Sequence, residues 1–175
     1  MVVQMLKKVF KTKKTSAEVL SQELGDLLFD LNSDEELLAL KTAGLTENLD
    51  VILACGYLFS YRLVIIINDI RMSSKLLDEI YYNFFLLICN KKLKESEVGV
   101  DKLQNKVEGL VVNYQKNFAT KRNVDMKKVI EILCTDLDRE IDLNLKSALA
   151  SFLLKNITII QDFLVARSLY LRSRY

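Results

Sequence analysis

LDVILACGYLFSYRLVIIINDI, Leu49 to Ile70, is the stretch whose reading decides the fold. Between Val51 and Ile67 the only charge is Arg62. Apolar residues fall on every face, so a helix here is apolar nearly all round, as in a buried central helix or a membrane span. The run is a little shorter than the roughly 20 residues a bilayer needs. Arg62 inside it costs a span about 2.5–3.5 kcal/mol. The β-branched Leu63–Ile67 segment has strand character, but no turn residue separates it from the helical period before it. One buried helix from about Glu47 to Arg71 is therefore predicted, with Leu53, Leu58, Leu63 and Ile66 in the core. Arg62 has two readings: its stem lies on the core with its head in water, or it is buried and paired with a carboxylate.

A chain of 175 residues, half of them hydrophobic, fits one domain with a good core. It has no proline and only five glycines. Turns need such residues, so the chain should consist of long helices with few connections. Thr15 with Glu18, and Ser33 with Glu36, stand at capping-box spacing and open helices at Ser16 and Asp34. The first should bury Val19, Leu20, Leu24, Leu27, Leu28 and Leu31. Gly44 stops the second, and Thr46 caps the central helix. Ser73 or Ser74 caps an aromatic-rich helix to about Lys94. Asp101 caps another to about Ala119. Asp125 opens one through about Asp142, and Asn144 marks a break before SALASFLLKNITIIQDFLVARSLYL. Whether these last segments form one bent helix or two stays open. The fold class is all-α: a single-domain bundle of about six to eight helices over residues 1–175, around the central apolar helix.

Histidine is absent. This excludes histidine acid/base catalysis, Ser-His and Cys-His nucleophile pairs, and histidine metal sites. Cys55, Cys89 and Cys134 are scattered through apolar helical stretches, which suits reduced, buried thiols. The N-terminus lacks the apolar core and cleavage site of a signal peptide, so a cytoplasmic location is expected.

Charge is distributed unevenly. Residues 1–15 carry five lysines (Lys7, Lys8, Lys11, Lys13 and Lys14) and no acid. Residues 16–50 carry nine acids against one lysine, and the last thirteen residues carry Arg167, Arg172 and Arg174 with no acid. Residues 1–14 read as a basic amphipathic arm, able to dock on the bundle, to meet an acidic partner or to lie on an anionic membrane. The eight basic residues named here are the candidate contacts for a partner or for nucleic acid.

Two acidic groups suggest metal chemistry. Glu23-Leu24-Gly25-Asp26, followed by Leu27-Leu28-Phe29, sets two carboxylates on one helical face, and carboxylates are the ligands Mg²⁺ prefers. This stretch resembles the second acidic motif of the all-α nucleoside triphosphate pyrophosphatases, whose Glu-x-x-Asp pairs hold Mg²⁺. The resemblance implies a Mg²⁺-dependent nucleotide pyrophosphatase with Glu23 and Asp26 as ligands. That family's preceding Glu-x-x-Glu helix has no counterpart, because nothing before Glu18 is acidic. Asp136, Asp138, Glu140 and Asp142 follow a period of two, which spreads them around a helix rather than converging them on a metal. No phosphate loop, zinc spacing or calcium loop occurs, and no cofactor is expected.

With this thin catalytic inventory and surplus apolar helical surface, the leading expectation is a non-enzymatic protein that binds another protein or itself. Such a protein would be an inhibitor, immunity factor, adaptor or regulator. Nucleic-acid binding through the basic ends is the alternative, with Tyr170 and Tyr175 as stacking groups, although the net charge is only +2.

Overall fold

The computed structural model describes residues 14–31, 34–45, 49–93, 99–118, 126–134 and 142–172. Among these, seven helices and no strands are found. In chain order they are α1 (Ser16–Leu31), α2 (Asp34–Thr42), α3 (Leu49–Ile67), α4 (Ser74–Lys92), α5 (Val100–Phe118), α6 (Met126–Cys134) and α7 (Leu143–Arg172). The all-α bundle expected from the missing proline and the repeated caps is what the chain forms.

Several boundaries are fixed by the predicted chemistry. Thr15 and Glu18 close a reciprocal capping box: the Thr15 N–H donates to Glu18 Oε2 (2.8 Å) and the Glu18 N–H to Thr15 Oγ1 (3.2 Å). Ser73 caps α4 by accepting from the Leu76 N–H at 3.2 Å. Gly44 sits at φ 93°, where an L side chain would be strained. Its N–H reaches Lys41 O (3.0 Å) and that of Leu45 reaches Leu40 O (3.0 Å), the paired bonds of a Schellman stop.

Other boundaries differ from the sequence reading. The central helix ends at Ile67, four residues early. There the Asn68 side-chain amide turns back to donate to Val64 O (3.1 Å), occupying a carbonyl of the last turn. Helix α5 begins at Val100, so Asp101 lies inside its first turn rather than capping it. Asp142 caps α7 by accepting from the Leu145 N–H (2.8 Å), so the break falls before Leu143 and not at Asn144. Residues 135–141, with Asp136, Asp138 and Glu140, lie outside the described residues, as do Ser33 and Thr46.

Helix α3 is the axis of the bundle. Its residues from Val51 to Tyr61, together with Leu63 and Val64, are buried. Helices α4, α5 and α7 pack against it, and α7 also touches α1, α2 and α6. One contiguous apolar core draws side chains from all seven helices. Aromatic edges join the layers. Tyr57 stands between Phe29 of α1 (5.6 Å) and Phe152 of α7 (5.4 Å), both edge-on, and Phe59 meets Tyr114 of α5 at 6.5 Å.

Three residues expected inside are not. Ile66 is 38% exposed, because the last turn of α3 runs past the helices that cover its middle. Val19 and Leu27 lie on the flank of α1 and are exposed. That helix buries instead Ala17, Leu20, Ser21, Leu24, Gly25 and Leu28.

Small residues set two helix crossings. A Cβ on Gly25 would stand 2.3 Å from Leu87 Cδ2 of α4, and one on Gly56 2.5 Å from Phe152 Cε1 of α7. The obstacles differ in kind. Leu87 is half-buried and presents the end of a flexible side chain. Phe152 is a buried ring held edge-on by Tyr57. Replacing a mid-helix glycine by alanine gains up to about 1 kcal/mol of helix propensity. Gly25→Ala is therefore expected to be near neutral, and Gly56→Ala to destabilise by about 1–3 kcal/mol through overpacking. Urea titrations of the two variants read this difference directly. In the same titration Leu63→Ala should lose about 2–5 kcal/mol. Ile66→Ala, half in water already, should lose well under half of that.

Candidate interaction surface

Arg62 combines both readings made for it. Its side chain is half-buried, its guanidinium lies 5.3 Å from the centre of the Tyr81 ring, and one N–H donates to Glu108 Oε1 of α5 at 2.9 Å. This one cation ties α3 to both α4 and α5. Beneath it the Tyr61 hydroxyl donates to Leu77 O (2.8 Å) in the core. Burial pushes the Tyr81 phenol up to about 12. The positive charge of Arg62 opposes the shift and Glu108 adds to it. Burial raises Tyr61 further, with Asp78 reinforcing the effect.

Of the eight candidate basic contacts, two have described side chains, Lys14 and Arg167. Lys7, Lys8, Lys11, Lys13 and Arg174 lie outside the described residues. Lys14 is exposed just before α1. Arg172 ends α7, with its side chain outside the described residues. Arg167 has structural partners: Nη2 pairs with Glu23 Oε2 of α1 at 2.7 Å, and its guanidinium lies 5.5 Å from the centre of the Phe163 ring. Glu23 is thus committed to Arg167, and Asp26 accepts from the Gln22 side-chain amide at 2.8 Å. Of the two carboxylates of the pyrophosphatase-like motif, Glu23 pairs across to α7 and Asp26 within α1, and Gly25 between them serves the approach of α4. Among the described residues no group of three or more His, Cys, Asp or Glu side chains could hold a metal ion. Cys55 is buried and Cys89 half-buried.

Sequence reasoning missed the surface of α7. By length and composition both α3 and α7 could cross a bilayer. In α3, 72% of the apolar stretch is buried inside the fold, against 44% in α7. The outward face of α7 holds Leu143, Leu154, Val165 and Leu169, between 42% and 78% exposed, interspersed with Ser147, Ser151 and Thr158. Asp162 is the one charge in the middle of that face among the described residues. The signal was present in the sequence. The last helix has apolar residues around most of its circumference, and the other helices can cover only one side.

Two grooves flank the N-terminal end of this face. One, of about 660 Å³, lies against α2 and is lined by Leu38, Ala39, Ala43 and Ala148 among others. The second, of about 400 Å³, lies against α6 and is lined by Ile130, Leu143 and Ala150, with Lys127 and Lys146. Leu38 is itself largely exposed, which extends the apolar surface onto α2.

No known protein family, characterised protein or solved structure matches this chain.

The tyrosine pair carries a pH signature. An unfolded phenol ionises near 10, whereas Tyr81 in the fold resists until about 12. A folded value raised above the unfolded one gives stability that is complete below pH 10 and is lost as pH climbs through 12. Denaturation midpoints should therefore fall between about pH 10 and 12, and fall less steeply in Tyr81→Phe. Equal slopes for the two proteins would show that Tyr81 is not the group responsible.

Proposed function

We propose that this chain is a non-enzymatic helical interaction protein, of the inhibitor, immunity, adaptor or regulatory type, which acts by binding another protein chain. The observation that carries this reading is the outward face of α7. It is a long, charge-poor helical surface with four large aliphatic side chains in water, continuous with grooves against α2 and α6. Exposed apolar surface of this extent favours burial against a partner. At about 25 cal/mol per Å² the driving force comes from area removed from water rather than from charge.

Nucleic-acid binding is the weaker reading. It needs cations free to neutralise phosphates, and Arg167 is already held by Glu23 and Phe163. Metal-dependent nucleotide hydrolysis is weaker again, since Glu23 and Asp26 are both engaged. The three cysteines, scattered along the chain, suit a reducing compartment, and a cytoplasmic location is proposed on that ground.

The two binding classes respond oppositely to salt. Hydrophobic burial is not screened, whereas phosphate neutralisation weakens steeply with ionic strength. The full chain, immobilised and challenged with extract from its own cells and separately with mixed DNA and RNA, should retain protein through a moderate salt series. Leu154→Lys with Val165→Lys should abolish that retention. Replacement of Lys7, Lys8, Lys11, Lys13, Lys14, Arg167, Arg172 and Arg174 by Gln should leave it intact. Tight, salt-sensitive retention of nucleic acid, lost in the glutamine variant, would defeat the proposal.

A further inference from the structure

We infer that the groove between α6 and α7 is a binding site for a small amphiphilic anion, a free single-chain aliphatic carboxylate. The inference goes beyond the protein-binding reading and does not depend on it. It stands on the lining of the groove, its charge and its size.

The lining is two helical faces turned toward each other. Helix α6 supplies Lys127, Ile130 and Glu131, at the three- and four-residue spacing of one face, and α7 supplies Leu143, Lys146 and Ala150 at the same spacing. Ile130 is buried, whereas Leu143 is 78% exposed. The aliphatic stems of the two lysines lengthen the apolar lining, since such stems lie along apolar surface while their charged heads stay in water. A hydrocarbon chain laid over Ile130, Leu143 and Ala150 leaves water along its length.

Charge decides the head group. Each wall carries one exposed lysine, and among the described residues neither Lys127 nor Lys146 has a carboxylate partner. The carboxylates beside them are engaged. Glu131 holds Lys128 at 3.4 Å, and Asp142 accepts from the Leu145 N–H at 2.8 Å. An anion entering the groove therefore meets two uncommitted positive charges. A cation is repelled by both, and a neutral head gains nothing from either.

Size decides the number of chains. The groove holds about 400 Å³, near the lower end of the range of about 300–1,000 Å³ over which small-molecule sites fall. That space suits one aliphatic chain rather than the two chains of a membrane lipid.

The test is equilibrium dialysis of the purified full chain against radiolabelled decanoate, kept below the concentration at which it forms micelles. Decanoate should bind at one site per chain. Octanoate, two methylenes shorter, should bind about fifteenfold more weakly, since each buried methylene is worth about fourfold in affinity. Decyltrimethylammonium, a chain of the same length with a cationic head, should not bind. Lys127→Glu with Lys146→Glu, both at exposed positions, should lose decanoate and accept decyltrimethylammonium, with helical circular dichroism unchanged. Leu154→Lys with Val165→Lys, which disables the outward face of α7, should leave decanoate binding intact, so that loss of a protein partner and loss of this ligand are read separately. No decanoate binding overturns the inference. So does equal binding of the two amphiphiles, or decanoate binding that survives the lysine reversals. Decanoate binding lost in the Leu154 and Val165 variant places the amphiphile on the outward face of α7 and overturns the groove as its site.

Discussion

A helix with no polar face leaves water no side from which to approach. Every direction around the axis of α3 must therefore be filled by apolar groups of other helices, and this requirement arranges the rest of the molecule. Helices α4, α5 and α7 fill three directions, and α1, α2 and α6 complete the shell by packing on those three. Burying a side chain such as Leu58 or Phe59 contributes about 1.5–3 kcal/mol. Nine large apolar or aromatic side chains buried on one helix make it the principal source of cohesion. The glycine at position 56 belongs to the same requirement, because it lets the Phe152 ring reach the axis instead of standing off by the width of a methyl group.

Polar groups at the boundary of this core orient what the apolar groups merely attract. Hydrophobic burial has no direction, so alternative rotations of α4 and α5 about α3 would bury similar areas. The hydrogen bond from Tyr61 to Leu77 O fixes α4, and the contact of Arg62 with Glu108 fixes α5. Each is modest in net energy, but breaking one inside a half-dry environment leaves a polar group without its partner. The Glu23–Arg167 pair does the same between α1 and α7. These three contacts select one packing among several of similar apolar burial.

Most of the fold was legible where side chains act locally. The Thr15–Glu18 box, the Ser73 cap and the Gly44 stop depend on residues within a turn of one another, and each stands where its sequence put it. What depends on distant neighbours was not legible. Ile66 carries the same apolar signal as Leu63, yet only the packing of other helices decides that one is buried and the other wet. The role of Gly25 inside the acidic motif could not be read locally, because the approach of α4 that explains it comes from Leu87, 62 positions later (87 − 25). The candidate surface followed the same rule. Basic residues near the ends were conspicuous in sequence, whereas the exposure of Leu154 and Leu169 emerged only once the rest of α7 had been covered.

The shielding of α3 by α7 also imposes an order in time. The chain is made from its N-terminus, and the start of α7 lies 76 positions after the end of α3 (143 − 67). At ordinary synthesis rates this takes about 4 to 15 s. For that interval the flank of α3 around Gly56 and Tyr57 has left the ribosome without the Phe152 side chain that later covers it. The nascent chain therefore carries an uncovered apolar stripe, of the kind chaperones bind, until nearly its last helix is made. A truncation that removes α7 would make that exposure permanent.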